Sequence, residues 1–120
     1  MTSVLSLRLP RALERTLRDN AAYSRMSVSA IAGLILEHSI GGNYIFSTLP
    51  DVPQLLDAKL DLRLSSETIA RLRAESHRLN TSISVYSRVI LYAYYSKRLV
   101  FIEIGGRYTL AENHEQEKRA

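Results

Sequence analysis

Apolar and polar positions alternate near the start of the chain: Leu5, Leu7 and Leu9 are separated by Ser6 and Arg8. This period of two predicts a half-buried strand of about five residues, which Pro10 stops. The period then changes. Leu13, Leu17 and Ala21 recur every four residues, which predicts a helix over residues 11–24. Ser27 reads as the N-cap of a second helix with the stripe Ile31, Leu34, Ile35 and His38. Further on, the same succession returns. Leu60, Leu62 and Leu64 alternate with Asp61 and Arg63, and Ser65-Ser66-Glu67 signals a helix start. Ile69, Leu72, Ser76 and Leu79 share a face over about 66–79. Ser82 then caps a helix carrying Ile83, Tyr86, Ile90 and Tyr94.

The two passages are copies. Residues 5–36 laid on 60–91, an offset of 55, give ten identities in 32 positions, where about two are expected by chance. Among them are Leu5/Leu60, Leu7/Leu62, Arg8/Arg63, Leu9/Leu64, Ser27/Ser82 and Ser29/Ser84. Each copy reads as a strand followed by two helices. A lone five-residue strand leaves its backbone groups unpaired and one face bare. Two such strands from one chain can pair antiparallel and present their six leucines to the four helices. The expected organisation is a first unit at 1–40, a linker at 41–57 and a second unit at 58–98. A β-hairpin over 99–110 and a disordered tail at 111–120 follow. The linker is marked by Gly41-Gly42, Pro50 and Pro53. The hairpin turns on Gly105-Gly106. Ile40-Gly41-Gly42-Asn43-Tyr44 echoes Ile104-Gly105-Gly106-Arg107-Tyr108, so Tyr44-Ile45-Phe46 is a candidate strand to join the hairpin. Alternatively, the hairpin edge carries self-association. Because one chain holds both strands, a pseudo-two-fold monomer is expected, with a swapped dimer as its competitor.

Composition narrows the function. There is no cysteine among the 120 residues, which excludes disulfides, thiolate metal sites and a cysteine nucleophile. Only His38, His77 and His114 remain as soft ligands, and no nucleophile–base pair, phosphate-binding glycine loop or metal-spaced cluster occurs. No catalytic residue, metal or cofactor is therefore assigned. No apolar run approaches the ~20 residues of a membrane span, and no signal-peptide core opens the chain. A cytoplasmic protein is expected. The net charge is +4, and the surplus lies in residues 1–100, with thirteen basic against eight acidic side chains. Such a body favours polyanionic partners.

Strand, Leu-Arg-Leu, helix, Ser-x-Ser, helix, occurring twice, resembles the ribbon-helix-helix superfamily of Arc, MetJ and CopG repressors. The tandem arrangement is similar to that of TraY of conjugative plasmids. The resemblance covers roughly residues 3–40 and 58–96. It implies a mainly α fold with a short antiparallel two-stranded ribbon, as a tandem ribbon-helix-helix protein with a C-terminal β-hairpin. It also implies that the ribbon enters the major groove of double-stranded DNA. Val4, Ser6 and Arg8, with Lys59, Asp61 and Arg63, would then face base edges. Arg and Lys suit guanine, Asp suits cytosine N4, Ser serves either, and Val can touch a thymine methyl. The plainer alternative is a strand face that is polar because it meets water. Asp61 can instead pair with Lys59 or Arg8, or repel phosphate.

The resemblance further implies phosphate contacts from Ser27, Val28 and Ser29 and from Ser82, Ile83 and Ser84, at the start of each second helix. Ordinary N-capping is compatible with that role. Where the family often has Gly before this Ser, the chain has Arg25 and Asn80. Asn tolerates a left-handed backbone and Arg does not, so the first turn is expected to differ. Arg11, Arg15 and Arg18 read equally as a DNA-facing row or a solvated face. Glu67, Arg71, Glu75 and Arg78 read as a salt-laced exposed helix. The implied function is sequence-specific DNA binding as a transcriptional repressor. Alternatives are a relaxosome or plasmid accessory factor with a relaxase partner, and an antitoxin with a toxin partner. Further copies of the chain on DNA are also possible partners.

Overall fold

The alternating leucines form strands that outrun their own pattern. In the computed structural model, which describes residues 1–50, 52 and 55–114, strand β1 spans Thr2–Leu9 and strand β2 spans Ala58–Ser65. They pair antiparallel from Thr2 opposite Ser65 to Leu9 opposite Ala58. Leu5, Leu7, Leu9, Leu60, Leu62 and Leu64 are buried on one face. Each such burial contributes about 1.5–3 kcal/mol. Helix α1 (Arg11–Ser24) follows Pro10, whose carbonyl accepts the amides of Leu13 and Glu14. Helix α2 (Val28–Ser39) packs along β2. After β2 come helix α3 (Ser66–Arg78) and helix α4 (Ile83–Tyr95), the latter along β1. Strands β3 (Leu99–Ile104) and β4 (Arg107–Glu112) form a second antiparallel pair against α4 and α2. Among the described residues, no helix is long and apolar enough to cross a membrane.

This corrects the expected fold class. The chain is a small α/β structure of four helices with two separate two-stranded antiparallel sheets. It is not a mainly α tandem ribbon-helix-helix protein with an added hairpin. The strands of the first sheet run eight residues rather than five. The second sheet is built into the core: Leu99 and Leu110 are fully buried, and Phe101 packs edge-on against both Tyr94 and His38. Strand β4 also runs past residue 110, with Ala111 buried. Of the expected disordered tail, residues 111–112 are thus strand, and 115–120 lie outside the described residues.

The connector is tied down rather than free. Asn43 bridges to β4 through its amide to the Leu110 carbonyl and its carbonyl to the Glu112 amide. No strand forms at Tyr44–Phe46, contrary to expectation. Tyr44 turns inward to Tyr86, and Phe46 opens a single 3-10 turn with its ring stacked on Tyr86 at 5.4 Å. Asp51, Pro53 and Gln54 lie outside the described residues. Leu34, expected on the buried stripe of α2, is 46% exposed, and Ala32, Leu36 and Ser39 are buried instead.

The copies share their turns bond for bond. The amides of Arg25 and Met26 reach the carbonyls of Ala22 and Ala21, and those of Asn80 and Thr81 reach His77 and Ser76, each at an offset of 55. Arg25 has φ 55° and Asn80 φ 58°, so the first turn does not differ as expected. The paired cap bonds offset the roughly 1–2 kcal/mol cost of a left-handed non-glycine residue. The helix ends are latched pairwise too. Glu75 of α3 accepts the Gly41 amide beyond α2 at 3.0 Å, and its counterpart Asn20 of α1 accepts the Tyr95 hydroxyl at the end of α4 at 2.7 Å. The Arg78 guanidinium, 2.6 Å from Glu75, is the main cause that holds this carboxyl below its ordinary range.

Buried polar atoms are otherwise satisfied in a cluster. The Ser39 hydroxyl lies 2.6 Å from the Tyr86 hydroxyl, and the Tyr44 hydroxyl donates to the Ser39 carbonyl at 2.8 Å. Burial pushes both tyrosines above their ordinary pKa. Ser87, where the first copy has Ala32, is the exception: its buried hydroxyl has no partner among the described residues. Ser87→Ala is therefore expected to stabilise the fold by about 1 kcal/mol in urea unfolding. A loss of stability would contradict the orphaned hydroxyl.

Candidate nucleic-acid interface

Because the leucines of β1 and β2 take the inner face, pleating sends the intervening side chains outward. Val4 lies opposite Arg63, Ser6 opposite Asp61, and Arg8 opposite Lys59, and all six are exposed. Ser6 and Asp61 are equivalent under the repeat and also directly paired, so the pseudo-two-fold axis passes between them. Arg8 and Arg63, another equivalent pair, lie diagonally on either side. Four residues along a strand place their rows about 13–14 Å apart.

The centre and the ends of this face differ chemically. The Ser6 hydroxyl donates to Asp61 Oδ1 at 2.7 Å. Asp61 therefore engages Ser6 rather than Lys59 or Arg8, because the cross-strand register brings the short hydroxyl directly opposite it. With its proton committed, Ser6 offers only lone pairs, so the middle of the ribbon is a pure acceptor. Arg8, Lys59 and Arg63 make no ion pair among the described residues. They can only donate. An acceptor centre is thus flanked by donor ends.

Both second helices begin beside the ribbon. The Ser27 hydroxyl accepts the Ala30 amide at 3.0 Å, and the Ser82 hydroxyl accepts the Val85 amide at 3.1 Å. The amides of Val28 and Ser29, and of Ile83 and Ser84, have no acceptor among the described residues. Capping and an anion-ready helix start coexist there. The hydroxyl of Ser29 also accepts the amide of Arg63 at 2.8 Å, tying α2 to the outer edge of β2. No corresponding bond joins Ser84 to Arg8. Instead the guanidinium of Arg88, a cation that the motif reading passed over, lies 3.4 Å from the Arg8 carbonyl. Its signal in the sequence was the mismatch with Gly33 at the equivalent position.

Four of the remaining basic side chains form ion pairs, whereas Arg15, Arg25, Arg73, Lys97, Arg98 and Arg107 form none among the described residues. Arg11 pairs with Asp57, Arg18 with Glu14, Arg71 with Glu37 and Arg78 with Glu75. Nδ1 of His38 lies 2.8 Å from the Leu34 carbonyl. Among the described residues, no group of His, Asp or Glu could hold a metal ion. No family model matches the chain, and neither a curated protein nor a solved structure matches it.

The unequal ties of the two helices have a measurable consequence. Ser29→Ala removes the acceptor of the Arg63 amide and is expected to cost about 1 kcal/mol. Ser84→Ala, which removes no such bond, should cost clearly less in the same denaturant titration. Equal losses would mean that the Ser29 bond adds nothing to the folded state.

Proposed function

We propose that this chain is a cytoplasmic, sequence-specific double-stranded DNA-binding protein that acts as a transcriptional repressor. It lays the β1–β2 ribbon in the major groove. The observation that carries this is the outward ribbon face, where exposed Arg8 and Arg63 stand unpaired on either side of the Ser6–Asp61 pair. A two-stranded ribbon fits the groove, about 12 Å wide, and an Arg there can donate two bonds to guanine O6 and N7. The acceptor centre suits the exocyclic amino group of cytosine or adenine. Val4, 56% exposed, suits a thymine methyl. The open amides at the starts of α2 and α4 suit flanking phosphates. Sequence resemblance of the strands and Ser-x-Ser turns to ribbon-helix-helix repressors supports the same function.

A repressor is preferred because the reading rests on the ribbon face, and residues 99–112, anchored in the core by Leu99 and Leu110, are not themselves free to wrap a partner.

With a rise of about 3.4 Å per base pair, the two arginines address guanines on opposite strands roughly four base pairs apart. Arg8→Ala and Arg63→Ala should each cost about 1–3 kcal/mol on a selected duplex. Each should relax preference on one side of the site only, and on opposite sides. Competition binding with duplexes changed one base pair at a time measures this. Specific binding left intact in both variants would exclude the ribbon as the reading surface.

A further inference from the structure

The two copies of the strand–helix–helix segment differ most consequentially at the pair Gly33 and Arg88. A Cβ built on Gly33 would lie 2.9 Å from Leu64 Cδ2, so a larger residue there would need the end of the Leu64 side chain to shift. The same half holds the 2.8 Å bond from the Arg63 amide to Ser29. In the other half the equivalent position carries a long cationic side chain. Arg88 reaches the outer edge of β1, where its guanidinium donates to the Arg8 carbonyl at 3.4 Å.

The charges at that end of the ribbon are not balanced within the fold. Arg8 stands directly opposite Lys59, and like charges in that position destabilise a strand pair. Arg88 brings a third cation to the same end. The nearest carboxylates in sequence are committed: Asp61 to Ser6, and Asp57 to the amide and guanidinium of Arg11. Neither Arg8, Lys59 nor Arg88 forms an ion pair among the described residues. At the far end a single cationic side chain, Arg63, faces Val4, with the Met1 ammonium just beyond. Cationic side chains are therefore unevenly spread along the ribbon.

Resting on the DNA-binding reading above, we infer that Arg88 is a phosphate-binding residue that acts in one half of the site only. Arg88 stands at the strand edge rather than on the outward face. A ribbon in the major groove turns its face to the groove floor and its edges to the walls, where the phosphates run. Of the five N–H donors on a guanidinium, the one on the Arg8 carbonyl leaves the others for phosphate oxygens. The bond to Arg8 also couples the phosphate anchor to the strand that carries a base-reading side chain. The other half has Gly33 in this place and no equivalent anchor.

The test compares the full chain with Arg88→Ala and Arg88→Lys on a selected duplex and on an unrelated duplex, across a salt series. Arg88→Ala should weaken binding to both duplexes by a similar factor, about tenfold. It should also lower the slope of log affinity against log salt by about one. Arg88→Lys should keep the slope and lose only part of the affinity. Phosphate ethylation interference should disappear on one flank of the site with Arg88→Ala and persist on the other. Wild-type binding that Arg88→Ala leaves unchanged in affinity and slope overturns this inference alone. A loss confined to the selected duplex, or interference lost on both flanks, overturns it as well. Failure of the wild-type chain to bind any duplex overturns the DNA-binding reading, and this inference with it.

Discussion

Neither β1 nor β2 can exist by itself: each has a row of leucines on one face and a full edge of unpaired amides and carbonyls. Their antiparallel pairing, Thr2–Leu9 against Ala58–Ser65, resolves both problems within one chain. The rest of the architecture follows from it. The buried leucine face gives α2 and α4 a surface to pack on, and the pleat delivers Val4, Ser6, Arg8, Lys59, Asp61 and Arg63 to the opposite face. The register also decides which repeat-equivalent residues meet. Only at Ser6 and Asp61 do equivalents face one another, and there they form a hydrogen bond.

Around that axis the skeleton is close to symmetric while the surface is not. The turns before Ser27 and Ser82 match in backbone angle and in hydrogen bonds, and Asn20 and Glu75 latch corresponding helix ends. Symmetry is broken where side chains meet the ribbon: Ser6 against Asp61, Val4 against Lys59, and Gly33 against Arg88. It is broken again behind the helices, where Leu99–Ile104 and Arg107–Glu112 form a sheet that the first copy lacks. Symmetric scaffolding with an asymmetric outer face suits a site whose two halves differ.

Elements governed by local rules were legible in the sequence. Period-two leucines located both strands, serine caps located α2 and α4, and the Gly105-Gly106 pair located the second hairpin. What depends on tertiary contact was not. Strand ends beyond the leucines form because each strand extends the other. Arg25 adopts a left-handed backbone because its cap bonds outweigh its preference. Tyr44 leaves strand geometry for a buried hydroxyl partner, and Leu34 is displaced from the inner stripe. The place of the second sheet in the core, which changed the fold class, rests on Leu99 and Leu110 meeting α4 and α2, and no periodicity encodes that. At the candidate site, outward positions followed from alternation alone. The Ser6 bond to Asp61 needed the register, and the place of Arg88 needed the fold of both copies together.

The most direct measurement is selection of duplexes bound by the full chain from a random-sequence pool. The account expects enrichment of a quasi-symmetric site, with one guanine on each strand roughly four base pairs apart. Between them should lie a non-palindromic centre that presents the amino group of cytosine or adenine to Ser6 and Asp61. A perfect palindrome, or a pool without enrichment, would contradict it.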